Sequence, residues 1–196
     1  SIEYLLHNGI SAVIVVGGAA EALDARPYTN DLTLNRRLGF IRLALENGVS
    51  LVPAYSFGEN SLFEQLLPNP PGSTLRRVQE WLMAKLSFSM PLVRGPFGRP
   101  VTVVVGAPIP VQRVANPTME QIKDLQTRYI KALTELFDKY QPLYDPKAKR
   151  LRVVDELDAD FYHRMAKCLH RDARRKERRM RREARKTHAR LLASKL

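Results

Sequence analysis

The stretch "VIVVGGAAEAL" (Val13–Leu23) decides how the chain is read. The run Ala12–Val16 is short, apolar and mostly β-branched, the composition of a strand buried on both faces. It stops at Gly17-Gly18, with Glu21 three residues on. Glycine lets backbone N–H groups approach an anionic or carbonyl oxygen with no side chain in the way. A helix start after the glycines would add the positive end of a dipole. Taken alone, the segment reads as a tight turn after a core strand with a surface glutamate. Its distance to the next segments changes that reading.

Residues 24–32, "DARPYTNDL", are rich in turn formers and read as a loop. Leu34, Leu38, Ile41 and Leu45 then recur at helical spacing, and Asn47-Gly48 ends the helix with a residue suited to the left-handed cap. "VSLVPAYSF" (Val49–Phe57) reads as a second buried strand, with Pro53 where its missing N–H harms no ladder. Strand, loop, helix and strand over 12–57 predict a parallel βαβ-like unit. In such sheets ligands sit beyond the carboxyl ends of strands. Gly17-Gly18 and Phe57-Gly58-Glu59 lie at such ends and are expected to face one crevice.

Further along, "PNPPGS" (Pro68–Ser73) is a stiff connector. Leu75, Val78, Leu82 and Leu86 mark an amphipathic helix with Trp81 beside the stripe, and Phe88–Pro100 is a loop. Val101–Gly106 is a further strand. Thr118 and Gln121 form a capping box ahead of a long helix with Ile122, Leu125, Tyr129, Leu133, Leu136 and Tyr140 on one face. Gln141–Lys147 ends that helix, and the domain boundary is placed at 146. The segment 157–196 is expected to be helical, with Phe161, Met165 and Leu169 as its apolar positions.

Charge divides the chain at the same place. Residues 1–146 hold 14 Lys/Arg against 13 Asp/Glu, whereas 147–196 hold 18 against 7. The first part is nearly neutral and the tail carries the net charge of +12. Two partners suit so dense a run of arginine: nucleic-acid phosphates, or an anionic leaflet, at about 1 kcal/mol per basic side chain. Few aromatics and no base-reading module accompany it, so no specific nucleic-acid readout is expected. The single cysteine, Cys168, allows no intrachain disulfide and fits a reducing compartment. His7, His163, His170 and His188 are too scattered to hold a metal. The chain begins at Ser1 without a signal-peptide pattern, as a fragment or processed product would. No run reaches the roughly 18 apolar residues of a spanning helix, which leaves binding at a bilayer surface open.

On chemistry alone, Arg36 or Arg37 could face the crevice and pair with a phosphate. Phe57 and Glu59 could wall an acyl or substrate pocket.

Taken in order and spacing, "VVGGAAEAL" (Val15–Leu23), "LTLNRRLGFIRLALENGVSLVPAYSFGEN" (Leu32–Asn60), "VVVGAPIPV" (Val103–Val111) and "PTMEQIKDLQTRYIKALTELFDKY" (Pro117–Tyr140) resemble the C-terminal part of the type 2 diacylglycerol acyltransferase family. That family includes monoacylglycerol acyltransferases and wax synthases. The resemblance runs over roughly 2–142, and the basic tail after about Leu143 lies outside it. It implies an α/β fold, a partial glycerolipid-acyltransferase-like mixed sheet flanked by helices, followed here by the basic helical tail. It implies transfer of a fatty acyl group from acyl-CoA, as co-substrate, to diacylglycerol to form triacylglycerol, with no other cofactor. It also implies the cytosolic face of the endoplasmic reticulum membrane and the lipid droplet.

The general base implied by the family, in a His-Pro-His-Gly motif, is not in this sequence. That motif and the membrane anchor are expected upstream of Ser1, so the isolated chain is expected to be inactive. By matched position, Gly17, Gly18, Glu21, Arg37, Gly39, Phe40, Pro53, Phe57, Gly58 and Glu59 are expected to line the acyl-CoA and acceptor crevice. Asn35-Arg36-Arg37 replaces the commoner Arg-Asn-Arg, so only Arg37 is carried over. The loop between Phe88 and Arg99 is shorter than in relatives. A membrane surface, and a homo-oligomer, are further partners consistent with the resemblance. The alternatives are acylation of monoacylglycerol or a fatty alcohol, or a non-catalytic homologue whose tail binds anionic membrane or RNA.

Overall fold

The computed structural model describes residues 2–17, 21, 25–67, 73–86 and 92–154, and in the tail 171, 174, 177, 178 and 180–182. The chain divides into two compact units, Ser1–Glu156 and Leu157–Leu196. In the first unit the described helices are α1 (Ile2–His7), α2 (Gly39–Asn47), α3 (Thr74–Leu86) and α4 (Met119–Tyr144). The strands are β1 (Asp31–Leu32), β2 (Ala54–Phe57), β3 (Glu64–Gln65), β4 (Val93–Arg94), β5 (Thr102–Val105) and β6 (Arg152–Val153). They form three pairs: β1 with β6 parallel, β2 with β5 and β3 with β4 antiparallel.

The core is built on α4. Its N-terminus is closed by the capping box foreseen in the sequence: the Gln121 N–H donates to the Thr118 hydroxyl and the Thr118 N–H to the Gln121 side chain. Ile122, Leu125, Gln126, Tyr129, Leu133, Leu136 and Phe137 are its buried face. This face packs on Leu34, Leu38, Ile41 and Leu45 of the α2 segment and on the inner side of the β2–β5 ribbon. Phe137 stacks on Phe57 at 5.5 Å between centroids and meets Tyr55 edge-on at 5.0 Å. The helix passes Pro142 and ends at Tyr144, inside the segment Gln141–Lys147 expected to end it. A proline in the last turn deletes one hydrogen bond and need not stop the helix.

Several expectations change. Ala12–Val16 is not a buried strand: no described strand pairs with it, and Val13 and Val15 are 97% and 85% exposed. Composition favours a buried strand, but a strand exists only where a neighbour supplies its ladder. The parallel βαβ unit is absent among the described residues, because β2 takes β5 as an antiparallel partner. The expected strand Val49–Phe57 contracts to Ala54–Phe57, preceded by an isolated bridge between Leu51 and Ile109. Pro53 sits between the two, and its carbonyl accepts from the Gly106 N–H. Among the described residues the strands form three separate two-stranded pairs. Two expected loops each hold a short strand, β1 in 24–32 and β4 in 88–100.

The helix α3 lies where its periodicity puts it, but rotated about its axis, with Leu75 and Leu82 half-buried. Arg76 and Gln79 are buried, at 8% and 3% exposure, while Val78 and Trp81 face outward. Residues 68–72 and 87–91, at its two flanks, lie outside the described residues.

The first unit also runs beyond the expected boundary at 146. Lys149 N–H donates to the Tyr28 carbonyl, Arg152 N–H to Asn30, and Val154 N–H to Leu32. The Arg152 guanidinium closes this seam with a bidentate fork on Asp31 at 2.9 and 3.0 Å. In the second unit, the described residues Arg171, Arg174, Glu177, Arg178 and Met180–Arg182 are helical, and Arg181 pairs with Glu177 one turn earlier. Phe161, Met165, Leu169 and Cys168 lie outside the described residues.

Removing the ring at the centre of the core has a defined outcome. Phe137→Ala is expected to cost about 3–5 kcal/mol, and Thr118→Ala about 1 kcal/mol, both read by urea denaturation.

Candidate functional site

Gly17, Glu21, Thr33 and Arg37 come together, although they span twenty residues of chain. One carboxylate oxygen of Glu21 accepts from both the Thr33 N–H, at 2.5 Å, and the Thr33 hydroxyl, at 2.9 Å. The Arg37 guanidinium donates to the Gly17 carbonyl at 3.1 Å. Gly17 is buried, and a Cβ there would collide with the Glu21 carboxylate. This close approach, not a left-handed backbone, is what demands glycine. Gly18 lies outside the described residues.

The turn carrying Thr33 and Arg37 is held from below. The buried Gln126 side chain of α4 donates to the carbonyls of Leu34 and Asn35 at 2.9 and 3.0 Å. Phe40, in the first turn of α2, packs edge-on against Tyr129 at 5.1 Å, so its ring serves this junction. Gly39 beside it is exposed, with open space where a side chain would go.

The other sequence candidates separate into two roles. Pro53 is fully buried against Gly106, and Phe57 is buried in the aromatic stack, so neither lines a crevice as expected. Gly58 has φ +84°, and a Cβ there would strike the Pro100 carbonyl, so its glycine is required by the backbone. Glu59 is exposed at the start of the 3₁₀ turn Glu59–Ser61.

Tyr55 connects these parts. Its hydroxyl donates to the Asn30 side-chain oxygen at 2.6 Å, and the Asn30 amide donates onward to the Lys149 carbonyl at 2.6 Å. Burial above all, then the charges of Asp145, Glu59 and Glu21, hold the Tyr55 phenol well above its ordinary range. Burial also raises the Asp145 carboxyl, partly offset by the Ala148 N–H and the charge of Arg99. Arg99 donates to the Tyr28 hydroxyl at 2.9 Å, and Tyr28 itself has φ +63°. Sequence reading passed over Thr33, Asn30, Tyr55 and Gln126; the only cue was that three of them sit inside the motif segments and Asn30 just before one. Among the described residues no group of His, Cys, Asp and Glu could hold a metal ion. Of the four histidines only His7 is described, bonded to the Glu3 carbonyl of its own helix.

The Tyr55 shift has a pH signature. The folded chain holds this proton more tightly than the unfolded chain, so its contribution is intact below the ordinary phenol value of about 10. Stability should fall as pH rises above that value, and Tyr55→Phe should flatten the decline. Thermal melts of both proteins between about pH 9 and 12 measure it.

A family model described as diacylglycerol acyltransferase matches residues 1–154, past the 142 at which the resemblance was placed. The first residues of the basic segment therefore fall within the family pattern. The chain is 47% identical over 161 residues to diacylglycerol O-acyltransferase 2B of Umbelopsis ramanniana, covering 74% of this chain and 46% of that protein. It is 45% identical over 148 residues to 2-acylglycerol O-acyltransferase 1 of Bos taurus, covering 70% and 44%. It is 38% identical over 169 residues to human diacylglycerol O-acyltransferase 2, covering 78% and 43%. The chain thus spans about half the length of the curated relatives it matches. No solved structure matches it. The assembled motifs and the match over most of the chain lead to one conclusion: the chain belongs to the diacylglycerol acyltransferase family.

Proposed function

We propose that the protein transfers a fatty acyl group from acyl-CoA to the free hydroxyl of diacylglycerol, giving triacylglycerol, and that the Gly17–Glu21–Thr33–Arg37 cluster contributes to its substrate site. The observation that carries the second part is the Glu21 carboxylate pinned by two Thr33 donors beside the Arg37 guanidinium. In the reaction the acceptor oxygen forms an ester bond, the thioester C–S bond breaks, coenzyme A leaves as its thiol, and the hydroxyl proton passes to a base. Glu21 has one oxygen committed to Thr33 and suits a second role: its other oxygen accepts a hydrogen bond from the acceptor hydroxyl. Arg37 keeps guanidinium donors exposed and suits a coenzyme A phosphate.

A second acceptor has a specific observation in its favour. The Bos taurus relative at 45% identity is named for 2-acylglycerol, so monoacylglycerol is the alternative substrate. Competition between the two acceptors in one assay separates them. We place the protein at the cytosolic face of the endoplasmic reticulum membrane and at lipid droplets, a reading that cell fractionation tests. Among the described residues no helix is long and apolar enough to cross a membrane.

Expressed at its full coding length, the protein should convert diacylglycerol and labelled oleoyl-CoA to labelled triacylglycerol. Glu21→Gln should lower turnover about tenfold or more at unchanged expression. Thr33→Val should cost about 1 kcal/mol of transition-state stabilisation, roughly fivefold in rate, with Thr33→Ser near wild type. Wild-type turnover in Glu21→Gln would remove Glu21 from the site.

A further inference from the structure

We infer that Val154, through its backbone N–H, and Arg152, through Asp31, are positioning residues for the Glu21 carboxylate, which makes the strand β6 a support of the substrate site. The inference rests on the role proposed above for Glu21. One peptide group carries it. The Leu32 carbonyl accepts from the Val154 N–H at 2.9 Å, and the Thr33 N–H of the same peptide donates to Glu21 at 2.5 Å. A trans peptide is planar, with its C=O and N–H pointing in opposite directions. Val154 and Glu21 therefore hold one rigid plate from its two sides. A rotation of that plate moves the donor off the carboxylate.

The strand β6 and the residues before it hold the plate in register. The N–H groups of Lys149, Arg152 and Val154 reach the carbonyls of Tyr28, Asn30 and Leu32 at 2.8, 2.9 and 2.9 Å. The Arg152 guanidinium forks onto Asp31, and the buried Asn30 amide closes on the Lys149 carbonyl. A one-residue slip would turn Arg152 to the other face and strand the Asn30 amide. The fork is open to water, with the Arg152 side chain 69% exposed, so it adds little stability. What it fixes is the place of Asp31, two residues before Thr33. The bond at the Leu32 carbonyl also polarises the peptide, which strengthens the Thr33 N–H as a donor by about 10–30%. Charge density alone assigns Arg152 to a phosphate-binding tail; its partner in the fold is Asp31. The family match, too, extends as far as Val154.

A double-mutant cycle separates positioning from support of the fold. Val154→Pro deletes the N–H that reaches Leu32, whereas Val154→Ala keeps it and trims a side chain that is 44% exposed. Both are made in the protein at its full coding length, with Glu21 intact and in the Glu21→Ala background, and assayed with diacylglycerol and labelled oleoyl-CoA. With Glu21 intact, Val154→Pro should lower kcat roughly fivefold, and Val154→Ala should stay near wild type. In Glu21→Ala no carboxylate remains to be positioned, so Val154→Pro should change kcat less than about twofold. If Val154→Pro does not accumulate, Arg152→Gln runs the same cycle from an exposed side chain, with an expected loss of about two- to threefold only where Glu21 is intact. An equal loss in both backgrounds overturns the inference and leaves β6 a structural strand. So does undiminished turnover of Val154→Pro with Glu21 intact. Wild-type turnover of Glu21→Ala alone is the failure of the underlying reading: it removes Glu21 from the site and the inference with it.

Discussion

The side chain of Gln126 lies at the inner face of α4, shielded from water, and its two amide hydrogens go to the carbonyls of Leu34 and Asn35. Breaking either bond would strand a buried polar group, at about 1–3 kcal/mol. This pair therefore fixes the turn 33–38 relative to the helix. The helix in turn is fixed by the Phe57–Phe137–Tyr55 stack to the β2–β5 ribbon. Everything proposed for the site hangs from that turn: Thr33 holds the Glu21 carboxylate and Arg37 holds the Gly17 carbonyl from its two ends.

The same arrangement explains why residues of one motif serve different purposes. In "VPAYSFGEN" (Val52–Asn60), Pro53, Tyr55 and Phe57 share one face, and the polar tip of Tyr55 and the turn after the strand divide the labour. Pro53 and Phe57 fill the core, Gly58 makes the turn against Pro100, and Asn60 reaches the Thr29 carbonyl. Tyr55, between them, carries the polar connection through Asn30 to the 148–154 seam. A motif recognised as one block thus joins structural and polar residues, and only some of them bear on chemistry.

Apolar surface is distributed unevenly around this frame. The outer side of β5 exposes Val103 and Val105, and the run 12–16 exposes Val13 and Val15. The helix α3 turns Trp81 outward while burying an arginine. Area alone does not name what meets each face.

Local signals in the sequence determined what local physics controls. The Thr118–Gln121 capping box, the face of α4 through Leu136, the Gly48 cap with φ +66°, and the strand Thr102–Val105 all follow from spacing and residue type. So does family membership, because the order and separation of several motifs is itself a long-range pattern. The tertiary structure alone decided which strand pairs with which, since any apolar β-branched run is compatible with many partners. It therefore left Ala12–Val16 without a strand partner among the described residues, made β2 antiparallel to β5, and turned Val78 and Trp81 of α3 outward. It also brought Glu21, Gly17 and Arg37, three of the ten candidate residues, together with Thr33. A side-chain hydrogen bond across a turn depends on angstrom-scale positions, and no spacing in one dimension encodes those.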